Sequence, residues 1–344
     1  MLNFTLCAAT VVALASVAQA DTVGFRTAGV GGAEPRPLNV AFWYPTEETG
    51  PEIEFGATPA FVGFTAIDDA EPSAGEHPLV VLSHGYGGTW RSLAWLGVAL
   101  AERGYVVAAP DHPGTTYFNR DRRQAGMLWE RPHDLSRVID AVLRDPALAG
   151  EIDPDRIAAV GHSIGGWTVS ALAGARFDPD RFARDCTTEI VSRACPDNPG
   201  YDMPDLRMNA EPLRQDMSDP RVRAFVSLDL GLARGFTPES LSDMTVPALL
   251  VGAGINIGDR PVELETGWLV QNMPAATTEE MIVSDAMHFS FMQLCHPGAV
   301  AMIEREEPGE GIVCRDGGTR GRATIHADLL GRINVFLDQA LSVR

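Results

Sequence analysis

Val160-Gly161-His162-Ser163-Ile164-Gly165-Gly166 is the stretch on which the reading of this chain turns. The residues before it, Arg156-Ile157-Ala158-Ala159-Val160, form a short apolar run that reads as a buried strand. Those after it, Trp167-Thr168-Val169-Ser170-Ala171-Leu172-Ala173, read as a helix of small residues. A Gly-x-Ser-x-Gly turn between a strand and a helix bends the chain sharply and lifts the serine oxygen clear of the backbone. Gly161 and Gly165 stand where a Cβ would collide with the neighbouring strand or helix. The helix also aims free N–H groups and the positive end of its dipole at the hydroxyl. Ser163 is thus the candidate nucleophile.

Upstream, Leu79-Val80-Val81-Leu82-Ser83 is another apolar run, entering the glycine-rich turn His84-Gly85-Tyr86-Gly87-Gly88 and then an amphipathic segment over 92–103. Such a turn offers a backbone N–H to a developing oxyanion, and the residue after the nucleophile offers the other. Tyr86 and Ile164 occupy those positions. Losing one such donor typically costs ~3 kcal/mol of transition-state stabilisation. Gly104-Tyr105-Val106-Val107-Ala108-Ala109-Pro110 reads as the next strand, which sets His112 near the rim of a pocket in a structural role. Asp134 reads as the N-terminal anchor of a helix over 135–143. Before all of these, Leu38-Asn39-Val40-Ala41-Phe42-Trp43-Tyr44 suits an antiparallel strand at a sheet edge, and 47–74 reads as surface loop.

Downstream, residues 176–220 are polar and proline-rich, as expected of a lid or cap over an active site. Strands follow at 222–228, ending in Asp229, at 246–252, and at 281–283, leading to Met287-His288-Phe289. Strands alternating with helices predict an α/β fold with a mainly parallel central sheet and helices on both faces. Ligands of such sheets bind at the carboxyl ends of the strands, where Ser163, Asp229, Asp259 and His288 all fall.

Those residue types fit one chemistry. A serine at its normal pKa is a poor nucleophile, so a neutral imidazole must take its proton. A carboxylate must then hold the imidazole tautomer and stabilise the imidazolium. His288 follows the last core strand closely, whereas His296 and His326 lie farther along. Asp229 ends a strand directly; Asp259 lies beyond a glycine-containing loop, and local sequence leaves the two open as the acid. Tyr86, Trp167, Met287 and Phe289 adjoin these residues and suit an apolar substrate pocket, although each also suits the core. No metal or cofactor is implied.

Composition narrows the class. The chain has 344 residues, 45% of them hydrophobic, and shows no composition break, linker or repeat from residue 40 onward, so 21–344 reads as one domain. The formal net charge is −19 and there is no lysine, which argues against nucleic acid and anionic membranes as partners. Residues 1–20 resemble a secretory signal ending in Ala18-Gln19-Ala20, without the usual basic start and too short to span a bilayer comfortably. Export to the periplasm or the medium is expected, with no stable membrane span. Four cysteines then remain, and proximity favours Cys186–Cys195 and Cys295–Cys314 as disulfides in an oxidising compartment.

The set Ser83-His84-Gly85-Tyr86-Gly87, Gly161-His162-Ser163-Ile164-Gly165-Gly166, Ser227-Leu228-Asp229 and His288-Phe289 resembles the platelet-activating-factor acetylhydrolases and their bacterial dienelactone-hydrolase-like relatives, within the α/β-hydrolase superfamily. The resemblance covers about 36–340. It implies Asp229 as the acid, Tyr86 and Ile164 as oxyanion donors, and a serine esterase acting on a small-molecule ester. True dienelactone hydrolases use a cysteine, so the serine here speaks against that activity. An amidase, peptidase or polyester hydrolase would use the same triad, because the motif determines acyl transfer and not the leaving group. A non-catalytic binding module on this fold is the alternative outside enzymes.

Overall fold

The apolar run before Ser163 and the run over 79–83 become neighbouring parallel strands of one sheet, and the run after Ser163 becomes a helix. A computed structural model describes residues 22–188, 195–196, 203–257 and 261–342. In chain order the strands are β1 (Thr22–Val30), β2 (Leu38–Thr46), β3 (Ile53–Phe55), β4 (Phe64–Asp68), β5 (Glu76–Ser83), β6 (Val106–Pro110), β7 (Glu151–His162), β8 (Val222–Leu228), β9 (Ala248–Ile255) and β10 (Thr278–Met287). They lie in the order β10-β9-β8-β7-β5-β6-β2-β1-β4-β3. From β10 to β6 every neighbouring pair is parallel, while β6–β2, β2–β1 and β3–β4 are antiparallel.

The parallel strands read as continuous apolar runs because helices bury both of their faces. Alternate side chains of β5 show this: Leu79 and Val81 belong to one core, Val80 and Leu82 to the other. Leu135, Val138, Ile139 and Val142 of helix Glu130–Arg144 and the buried residues of helix Ile164–Leu172 cover the first face. Leu96 and Leu100 of helix Ala94–Ala101, with Ile325, Leu329, Ile333 and Leu337 of helix Arg322–Ala340, cover the second. Among the described residues no helix is long and apolar enough to cross a membrane.

Two expectations about the N-terminal part need correction. β2 is not at an edge: β6 flanks it on one side and β1 on the other, and Phe42, Trp43 and Tyr44 are fully buried. Nor is 47–74 only loop, for it contains β3 and β4. These strands are three and five residues long, too short to show an alternation pattern in sequence. Aromatic packing holds them, with Phe55 and Phe64 centred 4.6 and 5.1 Å from the Phe25 ring. Residues 176–220 carry helix Pro179–Asp185, capped by Asp178, and bury Phe177, Phe182, Leu206, Leu213 and Met217 against the first core. Disulfides join Cys186 to Cys195 and Cys295 to Cys314.

Burial leaves several histidines unable to charge in the folded state. His326 stacks on Trp95, its Nε2 bonds to the Ser290 carbonyl at 3.1 Å, and burial pushes its pKa down to about 4. Burial also holds His84, His112 and His162 well below the usual histidine value. The unfolded chain therefore binds more protons than the folded one below about pH 6.5, and stability must fall as pH drops through that value. Each such histidine should withdraw roughly 1 kcal/mol of stability by about pH 5.5, still above the carboxylate range. Denaturant unfolding at pH 7.5, 6.5 and 5.5 should give successively lower stabilities; equal or rising values would contradict this account.

Candidate active site

Ser163 sits between β7 and helix Ile164–Leu172 with φ 59° and ψ −124°, in the left-handed region that a non-glycine residue enters at a cost of about 1–3 kcal/mol. The surroundings hold it there. Its N–H donates to the Leu228 carbonyl at 3.0 Å, and the Gly166 N–H donates to its carbonyl at 2.9 Å. A Cβ on Gly161 would lie 2.0 Å from the Gly165 carbonyl oxygen, and one on Gly165 would lie 1.9 Å from that of Ser83. Strand, helix and glycine-rich turn thus meet at distances only glycine permits. The same turn passes directly over the serine, since a Cβ on Gly85 would stand 3.1 Å from Ser163 Cβ.

Asp229 follows β8 and also has positive φ, 46°. Its N–H donates to the Val251 carbonyl at 2.7 Å, and its Oδ1 accepts the Ala253 N–H at 2.8 Å, so both backbone and carboxylate are tied to β9. Oδ2 lies 2.6 Å from His288 Nδ1. An ionised carboxylate only accepts, so Nδ1 carries the proton and Nε2 keeps its lone pair. The two side chains are 17% and 18% exposed, reachable yet largely dry. Asp259 lies outside the described residues.

His288 is held by neighbours that sequence reading did not single out. His162, inside the nucleophile motif, donates from Nε2 to the His288 carbonyl at 2.8 Å. Burial first, and the adjacent His288 second, keep His162 neutral. On the other side the Met287 N–H donates to Ser290 Oγ at 3.1 Å, and Ser290 Oγ donates to Asp316 at 2.7 Å. Arg322 grips that segment through Asp316 and the carbonyls of Gln293 and Val313. The Cys295–Cys314 disulfide closes the same excursion. The histidine in Gly-His-Ser was the one local signal for this support; the rest comes from residues far apart in sequence.

The remaining candidates divide. Tyr86 is half-buried on the turn over Ser163, and Ile164 is the first residue of the helix, where amides have no carbonyl four residues back. Met287 and Phe289 flank His288 half-buried, the Phe289 ring 5.0 Å from that of His288. Trp167 requires correction as a pocket residue: it is 0% exposed and packs on Phe177 and Phe236, 5.4 and 5.8 Å away. It points away from solvent because helix Ile164–Leu172 is buried all round.

His112 and Asp134 also differ from expectation. His112 is fully buried and not at a rim. Asp134 lies inside helix Glu130–Arg144 instead of capping it, with Oδ2 2.9 Å from His112 Nδ1 and both oxygens accepting from Arg36 at 2.9 Å. Ser83 Oγ stands 3.0 Å from His112 Nε2. The buried Arg131 bonds to Ser83, His84, Thr115 and Thr168 around it.

Residues 80–303 match the profile of the alpha/beta hydrolase family. Two similar proteins are cutinases est2 and est1 of Thermobifida alba, 38% and 37% identical over 101 residues, which is 29% of this chain and 31% of each cutinase. Dipeptidyl aminopeptidase BIII of Pseudoxanthomonas mexicana is 32% identical over 205 residues, 58% of this chain and 28% of that protein. The chain thus spans about a third of the length of the curated relatives it matches. A solved ferulic acid esterase from Streptomyces cinnamoneus superposes with a TM-score of 0.65 at 22% identity, over 96% of this chain and 93% of the other, which establishes the shared fold. With a family profile matched from β5 into the helix beyond His288, on a mainly parallel sheet, the chain belongs to the alpha/beta hydrolase family.

Proposed function

We propose that this protein is an exported serine hydrolase that cleaves carboxylic esters through an acyl-enzyme intermediate. The observation that carries the reading is the 2.6 Å contact between Asp229 Oδ2 and His288 Nδ1, in the same sheet rim as a serine in the strained elbow conformation. Ser163 Oγ attacks the ester carbonyl while His288 Nε2 takes its proton. Asp229 holds the imidazole tautomer and stabilises the imidazolium. The Tyr86 and Ile164 N–H groups receive the oxyanion, as the approach of the 84–88 turn to Ser163 supports. Collapse of the tetrahedral species expels the alcohol, which takes the proton from His288. Water, deprotonated by the same histidine, then releases the acid and regenerates Ser163.

Half-buried Tyr86, Met287 and Phe289 suit an apolar acyl or alcohol group. The likeness to cutinases and to the fold of a ferulic acid esterase favours an ester over an amide. The likeness to a dipeptidyl aminopeptidase supports a second reading, amide hydrolysis by the same residues. We read 21–344 as one domain, with 176–220 as its cap. Two disulfides support an oxidising destination, periplasmic or secreted.

A fluorophosphonate should label the protein at Ser163 and nowhere else; clean labelling at another residue would end the assignment. Asp229→Asn should lower turnover of a p-nitrophenyl ester by on the order of 10⁴-fold, because an amide supports the wrong imidazole tautomer. Near-normal turnover in Asp229→Asn, with loss in Asp259→Asn, would transfer the role of acid. Ester substrates of graded acyl length should turn over well ahead of matched anilides, and the reverse order favours the amidase reading.

A further inference from the structure

The oxyanion donors inferred above belong to different segments, Tyr86 to the 84–88 turn and Ile164 to the first turn of the nucleophile helix. Donors work only within about 2.7–3.1 Å of the oxygen that becomes charged, so the two segments must be held in register. We propose that Arg131 is the positioning residue that does this, by cross-linking the segments that carry both donors. The proposal rests on the serine-hydrolase reading of Ser163.

Arg131 is 1% exposed, and its guanidinium fans out to three backbone segments. One Nη donates to the His84 carbonyl, the peptide that opens the oxyanion turn, and to Ser83 Oγ at 3.2 Å. The other Nη donates to Thr115 Oγ1, and the Thr115 carbonyl accepts the Gly87 N–H at 2.8 Å, on the far side of Tyr86. Nε donates to Thr168 Oγ1 at 2.9 Å, and Thr168 Oγ1 donates to the Ile164 carbonyl at 2.7 Å. Tyr86 is thereby held from both ends and Ile164 from the turn below it. Burying a guanidinium is costly against an apolar residue of similar size, so space-filling alone does not account for it.

A hydrogen-bond chain sets the direction of these contacts. Burial raises the pKa of Asp134, and the hydrogen bonds it accepts twice from Arg36 and once from Arg137 oppose that rise. As an acceptor Asp134 receives a hydrogen bond from His112 Nδ1–H, which leaves Nε2 to accept from Ser83 Oγ. The hydroxyl proton of Ser83 is then committed, and its lone pairs face Arg131. Ser83, His112 and Asp134 repeat the residue types of the active site, yet all three are 0% exposed and no substrate reaches them. Their part is to orient Ser83 toward the guanidinium.

The test compares Thr168→Val and Arg131→Lys with wild type, both checked for folding by circular dichroism. On a p-nitrophenyl ester, kcat should fall on the order of 10- to 100-fold with KM within about twofold, since only the charged transition state uses the register. Affinity for a trifluoromethyl ketone, which forms an oxyanion on Ser163, should weaken by the same factor, while the corresponding alcohol binds unchanged. Folded variants with wild-type kcat and wild-type ketone affinity would overturn the proposal, even with lowered Tm. Equal weakening toward ketone and alcohol would overturn it too, by showing a general loss of the pocket. If Arg131→Lys does not fold, Thr168→Val decides alone. Failure of the wild type to take up a fluorophosphonate at Ser163 would instead remove the hydrolase reading itself.

Discussion

At the junction of β7, the nucleophile helix and the 84–88 turn, three backbones pass closer than any side chain allows. Gly165 lies against the Ser83 carbonyl and Gly161 against Gly165, so the helix starts immediately above the carboxyl ends of β5 and β7. That approach holds Ser163 at positive φ. Every other feature of the site is measured from this point. Asp229 reaches it because β8 lies beside β7 and passes its Leu228 carbonyl to the Ser163 N–H. His288 reaches Asp229 because β10 pairs with β9, whose Ala253 N–H holds the same carboxylate.

Around this junction the protein buries an unusual amount of polar chemistry. His84, His112 and His162 are all nearly inaccessible, each held neutral by burial, and Arg131 lies among the first two. Neutral imidazoles serve here as directional connectors, through both nitrogens in His84 and His112 and through Nε2 in His162. His162 donates from Nε2 to hold the backbone of His288, and His112 passes orientation from Asp134 to Ser83. Such connectors specify geometry more than they add stability, because each bond replaces one that water would have made.

How much of this was legible in the letters depends on range. The elbow was readable because its chemistry lies within seven consecutive residues, and a glycine need at a fixed spacing is a local property. The parallel strands were readable as apolar runs with turns at their ends. Asp229 ends a strand and Asp259 follows a loop, but local sequence leaves both open as the acid, and only the resemblance favours Asp229. β3 and β4 went unseen because they are short and are held by Phe25, a partner more than 25 residues away. The burial of Trp167 and His112 is not legible for a related reason: an aromatic or histidine beside a motif shows nothing of which way its side chain points.

The sequence by itself determined the elbow, the order Ser-Asp-His, the layered class of the fold, and the two candidate cysteine pairs. These follow from local sterics, hydrophobic periodicity and spacing. Only the tertiary structure decided that Asp229 meets His288, that His162 supports its backbone, and that Arg131 gathers Ser83, His84, Thr115 and Thr168. Those contacts join residues from 16 to 126 positions apart, on different strands, helices and loops. Hydrogen-bond partners are selected by direction and distance in space, and a linear string of residues carries neither until the sheet has brought its strands together.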